Sequence, residues 1–226
     1  MKKAMPEQLM SIYKSRAFRD DFIQNLSDNK IGAIFNGAWD KIELNEIPIT
    51  IMAEEAGLEP LEWLFDQDLD TQFVGKMYQN NDDGVSKLLS HRNAIIALSD
   101  AGAHVEFLCD AGFGLYFLQH WVRKTGTFTL THAVQKLTSE PASRYRIKKR
   151  GEIKEGYFAD LVLFSPDAVG ISKLYRLNDL PGQGSRLMRD ANGVFGVWVN
   201  GSRVIDEDNK PMAQEGPGHI LREFDF

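Results

Sequence analysis

The 226 residues include one cysteine, Cys109. A lone thiol excludes an intrachain disulfide and favours a reducing cytoplasm as the setting. No apolar run approaches the roughly 20 residues that span a bilayer, so a membrane partner is not expected. The opening stretch MKKAMPEQLMSIYKS has two lysines but no apolar core behind them, which is not the form of a secretory leader. Positive charge is scarce too: 26 Lys and Arg stand against 32 Asp and Glu, a net charge of −6. Phosphate binding needs a basic face, so nucleic acid is excluded as the main partner. The one basic run, RYRIKKRG at 144–151, is short and reads as a solvated connection. No internal repeat or low-complexity segment is present.

Histidine is sparse and scattered. The five are His91, His104, His120, His132 and His219, and none forms His-x-His or His-Glu-x-x-His. A catalytic zinc takes about three protein ligands, so the chain's own motifs do not assemble a standard hydrolytic metal centre. His120 and His132 lie in amphipathic stretches and read as packing or surface residues. Gly112 and Gly114 make neither a dinucleotide fingerprint nor a phosphate loop.

What is present is an α/β pattern. Leu9, Ile12, Tyr13, Phe18, Phe22, Ile23 and Leu26 recur at helical spacing and predict one helix over 6–26. Residues 39–46 read as irregular or weakly extended. IPITIMAEEAGLEPLEWLFDQDLD splits into two short helices at Gly57, and another short helix is expected near 82–90. Residues 94–99 do not alternate in polarity, which predicts a parallel strand covered on both faces. Helices follow over 111–126, stopped by Gly126, and from a Thr129 N-cap to a pause at Pro141. Beyond about 148 the pattern turns to β: a strand over 160–164, a loop over 170–192, and a hairpin turning on Asn200-Gly201.

Chemistry concentrates in NAIIALSDAGAH, 93–104. Functional groups in parallel α/β folds gather at the C-terminal ends of strands, and Asp100 stands at such an end. Ala101, Gly102 and Ala103 leave space beside it, and His104 could face the same rim. The structural alternative is a carboxylate capping the next turn, with His104 on the surface. Cys109 precedes a helix, a position that can lower a thiol pKa, but a half-buried structural cysteine is the better reading.

SDAGAHVEFLCDAGFGLYFLQHWVRKTGTFTLTHAVQKLTSEPASRYRI, followed by RGEIKEGYFADLVLFSPDAVG, resembles the C-terminal part of amidohydrolase-superfamily enzymes. The group most similar is the D-aminoacylases, N-acyl-D-amino-acid deacylases. VWVNGSRVI and GPGHILR look like that family's last strands, and AEEAGLEPLEWLFD and DGVSKLLSHRNAIIALSD look like its late barrel helices.

The resemblance implies the C-terminal part of a (β/α)8 TIM-like barrel in 1–148 and part of a small β-sandwich in 149–226. It implies a metal-dependent hydrolase of non-peptide C–N bonds acting on a small-molecule amide. Zinc or another divalent metal would activate water, and Asp100 would serve as catalytic base and possible metal ligand. His104 would touch substrate, and Gly156, Ala159 and Asp160 read as structural. The family's His-x-His pair and middle-strand ligands are not in this sequence. The expectation is therefore a chain inactive alone, associated with the missing N-terminal half or with itself. Leaving most of a barrel out uncovers apolar helix faces such as Phe113, Leu115, Phe117, Leu118, Trp121 and Val122. The alternatives are a non-catalytic subunit and a cyclic-amide hydrolase of dihydropyrimidinase type.

Overall fold

The computed structural model describes residues 6–27, 38–68, 71–75, 81–97, 99, 101–212 and 216–222. The chain forms two compact units, 1–85 and 86–226. All strand pairing among the described residues is antiparallel. No helix among them is long and apolar enough to cross a membrane.

In the first unit the expected single helix is two, α1 (Pro6–Lys14) and α2 (Arg16–Ser27). Ser15 makes the break. Its hydroxyl donates to the Ile12 carbonyl at 2.7 Å and accepts from the Phe18 N–H at 3.3 Å. Such local bonding by serine competes with helix continuation. The stretch expected to be irregular is a short hairpin, β1 (Ile42–Leu44) and β2 (Ile47–Pro48), with β3 (Val74–Gly75) on the other side of β1. Asn45 and Glu46 both have positive φ, as a two-residue hairpin turn of the primed kind requires.

Gly57 divides α3 (Ile49–Ala56) from α4 (Pro60–Phe65) as expected. Its φ of 69° is left-handed, and its N–H closes back on the carbonyls of Ala53 and Glu54, a conformation that favours glycine at a helix end. The centre of this unit is Phe65, 2% exposed. The rings of Tyr13, Phe18 and Phe22 meet it edge-on at centroid distances of 5.1, 6.1 and 5.5 Å, the arrangement that ring quadrupoles prefer. Arg19 closes the cluster by donating to the Phe65 carbonyl and the Asp66 carboxylate, each at 3.1 Å.

Helix α5 (Asp82–Ser90) crosses the division between units. In the second unit, α6 (Phe113–Tyr116) runs into a π-helical stretch, Phe117–Lys124. Then come α7 (Leu130–Leu137) and α8 (Ser139–Arg144). Thr129 caps α7, its side chain accepting from the His132 N–H at 3.3 Å. The pause falls at Thr138, earlier than expected. Pro141 sits in the first turn of α8, where a missing N–H is tolerated. Phe117, Leu118 and Trp121 are buried, so the helix expected to be uncovered is packed on its main face, while Phe113 remains 37% exposed.

The β region holds β4 (Leu161–Phe164), β9 (Val194–Val199) and β10 (Ser202–Ile205) in one sheet, ordered β10-β9-β4. The hairpin turns on Asn200-Gly201, both at positive φ, where the sequence placed it. Asp160 fastens this turn. It accepts from the Asn200 N–H at 2.9 Å and pairs with Arg150, which also donates to the Asn200 side chain at 2.7 Å. Burial pushes the Asp160 carboxyl up, but the Asn200 N–H and the Arg150 guanidinium outweigh it and hold the group below the usual carboxylate range. Strand β4 is an edge strand whose Val162 and Leu163 are more than half exposed.

Residues 170–192, expected as loop, contain β5 (Gly170–Ile171), β6 (Tyr175–Leu180), β7 (Gly184–Met188) and β8 (Ala191–Asn192). Strand β6 is exposed along nearly its whole length, and the alternation begun by Tyr175 and Leu177 breaks at Asp179-Leu180, so its sequence does not stand out from loop. Its pairing with β7 rests on ladder bonds and polar side chains.

Phe65→Ala is expected to destabilise the first unit by about 3–5 kcal/mol. Urea titration followed by tryptophan fluorescence, with Trp39 and Trp63 as reporters, measures the loss.

Candidate functional site

At the described residues of the expected parallel strand, 94–97 and 99, no strand forms. Residues 94–97 pair with no ladder among the described residues. A parallel strand needs neighbouring strands for its N–H and C=O groups, and none lies beside this segment there. Side chains take one of its carbonyls and one in the turn just before it. Lys136, 2% exposed on α7, donates to the Ala94 carbonyl at 3.2 Å and to the Glu140 carboxylate at 3.2 Å. Arg144 on α8 donates to the Arg92 carbonyl at 2.8 Å.

Asp100 and its neighbour Leu98 lie outside the described residues. The turn that follows is described. The Ser99 hydroxyl accepts from the Ala101 N–H at 3.1 Å. Gly102 has a φ of 93°, a conformation closed to most side-chain-bearing residues. His104 is exposed, also at positive φ, and its ring lies 5.0 Å from that of Phe107 at 30°. Its carbonyl accepts from the N–H groups of Phe107 and Leu108, each at 2.9 Å.

Strands β6 and β7 hold this loop from the far side. Leu187 donates its N–H to the Val105 carbonyl at 2.8 Å, and Arg176 donates to the Glu106 carbonyl at 3.0 Å. The ribbon is braced by a two-pronged pair: Arg186 reaches the two carboxylate oxygens of Asp179 at 2.8 and 2.5 Å. Hydrogen bonding to Arg186 holds the Asp179 carboxyl below its ordinary range. The Tyr175 hydroxyl donates to Asp190 at 2.9 Å, which raises the phenol pKa. Cys109 is a free, half-buried thiol, as the structural reading expected.

Three of the histidines lie against aromatic rings. His120 stacks on Tyr116 at 5.2 Å, His132 lies against Phe128 at 5.3 Å, and His219 meets Phe158 edge-on at 6.4 Å. Among the described residues no group of three or more His, Cys, Asp or Glu comes together to hold a metal. The described residues therefore do not fit a catalytic zinc, which takes about three protein ligands. An open depression of about 690 Å³ is lined by Gln135, Ser139, Glu140, Ser143, Arg144 and Glu152, and by no residue of 99–110. Its polar, open wall differs from the apolar enclosure usual for small-molecule sites.

Lys136 is the functional candidate that the sequence reading missed. One signal was available: Lys136 falls three residues after the buried Ala133, on the inward face of α7, with Glu140 one turn further on.

Over residues 46–205, well over half its length, the chain matches the Amidohydrolase family. It is 33% identical over 104 residues to an N-acyl-D-aspartate deacylase of Alcaligenes xylosoxydans xylosoxydans, covering 46% of this chain and 19% of that protein. It is 36% identical over 90 residues to a D-aminoacylase of the same organism, covering 40% of this chain and 17% of that protein. The matched parts thus span less than a fifth of these curated relatives. A crystal structure of a D-aminoacylase, one that defines a novel subset of amidohydrolases, superposes with a TM-score of 0.48 at 27% identity, covering 74% of this chain and 32% of that one.

The Asp179–Arg186 pair gives a pH signature. A carboxyl whose folded pKa is lowered contributes stability above its unfolded pKa, and that contribution is lost as pH falls through the folded value. Asp179→Asn is expected to speed amide exchange across 175–188 at pH 7. Exchange in the native and variant ribbons should converge as pH is taken below the ordinary carboxylate value of roughly 3.9.

Proposed function

The chain belongs to the amidohydrolase family, and on that premise we propose that it is part of a hydrolase cleaving the amide bond of N-acyl-D-amino acids. The observation that carries this reading is the family match over 46–205, joined by the relatives named N-acyl-D-aspartate deacylase and D-aminoacylase. On this reading residues 1–148 contribute late barrel elements, and 149–226 contribute part of a β-sandwich.

Asp100 is the general base. Its carboxylate takes a proton from water as the water oxygen attacks the amide carbonyl carbon. It then delivers that proton to the nitrogen as the C–N bond breaks. One carboxylate can serve both steps because each leaves it in the state the next requires. His104, exposed in the loop four residues further on, supplies a ring nitrogen to the bound substrate. A divalent metal such as zinc, which the resemblance implies, would take its ligands from outside the described residues.

The chain by itself is expected to release no amine from N-acyl-D-amino acids. Combined with polypeptide that supplies the remaining ligands, it should turn these substrates over. In that assembly Asp100→Asn is expected to lower kcat by about 10²–10⁴-fold, the range of a lost general base. His104→Ala should raise KM with kcat little changed. Steady-state assay of free amine reads all three, and undiminished turnover by Asp100→Asn would remove the role assigned to that residue.

A further inference from the structure

We propose that Lys136 and Arg144 are positioning residues: their cations take the carbonyls of Ala94 and Arg92 in place of a neighbouring strand, and so fix the segment running from 92 to 97. Three observations carry this. The Lys136 side chain is 2% exposed, and its amino group donates to the Ala94 carbonyl and the Glu140 carboxylate, each at 3.2 Å. Placing an ammonium there has a large desolvation cost that an apolar residue of similar length would avoid. The ammonium therefore contributes something other than packing. Second, Arg144, one helix later, makes the same kind of bond to a carbonyl two residues away, at 2.8 Å. Third, the segment receiving both bonds, half-buried at 94–96, has no ladder partner among the described residues.

Hydrogen bonds from charged donors are about twice as strong as neutral ones. Two of them tie this short segment to α7 and α8. The segment leads within three residues to Asp100, so the effect on turnover rests on the hydrolase reading above. The effect on local order does not.

Lys136→Met keeps the stem and removes the ammonium. Arg144→Met removes the second donor from an exposed position and leaves the core intact. Backbone ¹⁵N order parameters of Ile95, Ile96 and Ala97, measured in the full chain, are expected to fall from about 0.85 to below about 0.6 in both variants. Lys136→Arg should restore them. Unchanged values in both methionine variants overturn the proposal, as does a fall spread evenly over 86–226 in Arg144→Met. If Lys136→Met fails to fold, Arg144→Met decides alone. In an assembly that turns over N-acyl-D-amino acids, Lys136→Met should lower kcat about a hundredfold with KM unchanged, the scale of a misplacement near 1 Å. Order lost with kcat intact overturns the positioning role and leaves the hydrolase reading standing. Full activity of Asp100→Asn removes that reading, while the order parameters still judge the clasp.

Discussion

An ammonium group taken out of water must be met by oxygen, and in this chain Lys136 is met by two. One is a carboxylate on its own helical stretch, partly open to solvent. The other is a main-chain carbonyl 42 residues earlier. A buried ion pair is weak ground for stability, since desolvation can cancel the attraction. What it does impose is geometry. If the carbonyl moves away, the ammonium keeps Glu140 but loses one of its two oxygens in a place where its side chain is 2% exposed, which ties the helical pair α7–α8 to the segment before the SDAGAH turn. The ribbon β6–β7 meets the other side of that turn through Leu187 and Arg176. The loop carrying His104 is thus held between two supports that lie far apart in sequence.

Elements fixed by local signals were legible. Gly57 ends one helix and Pro60 starts the next. Thr129 caps α7, and Asn200-Gly201 turns the last hairpin. Each is specified by a backbone conformation or an N–H partner that a single residue type supplies. Elements fixed by partners distant in sequence were not legible. The apolar run over 94–97 has the composition of a covered strand, but the carbonyl of Ala94 is taken by the Lys136 side chain and that of Arg92, just before the run, by Arg144. Strand β6 is exposed along nearly its whole length, and the pairs that brace it on β7, such as Asp179 with Arg186, look in the sequence like ordinary loop charges.

The candidate site divides in the same way. Asp100 and His104 came from a motif and from resemblance, because a carboxylate beside small residues is visible in one dimension. Lys136 was hidden because lysine on a helix is usually solvated, and only the packing around Ala133 marks it as inward. Each of His120, His132 and His219 lies against an aromatic neighbour.

The π-helical stretch Phe117–Lys124 turns more slowly than an α-helix, and its two polar arms point where they do for that reason. Gln119 accepts from the Ile171 N–H at 3.0 Å, and Arg123 donates to the Val169 carbonyl at 2.6 Å. An α-helix advances about 100° per residue, and the wider winding, bonded five residues back, advances less. Rewound as a regular α-helix at the same length, the stretch would carry its later side chains, Arg123 among them, further round the axis and away from their partners. The wide winding therefore acts as a rotational spacer: it takes up chain length while Gln119 and Arg123 keep their facings.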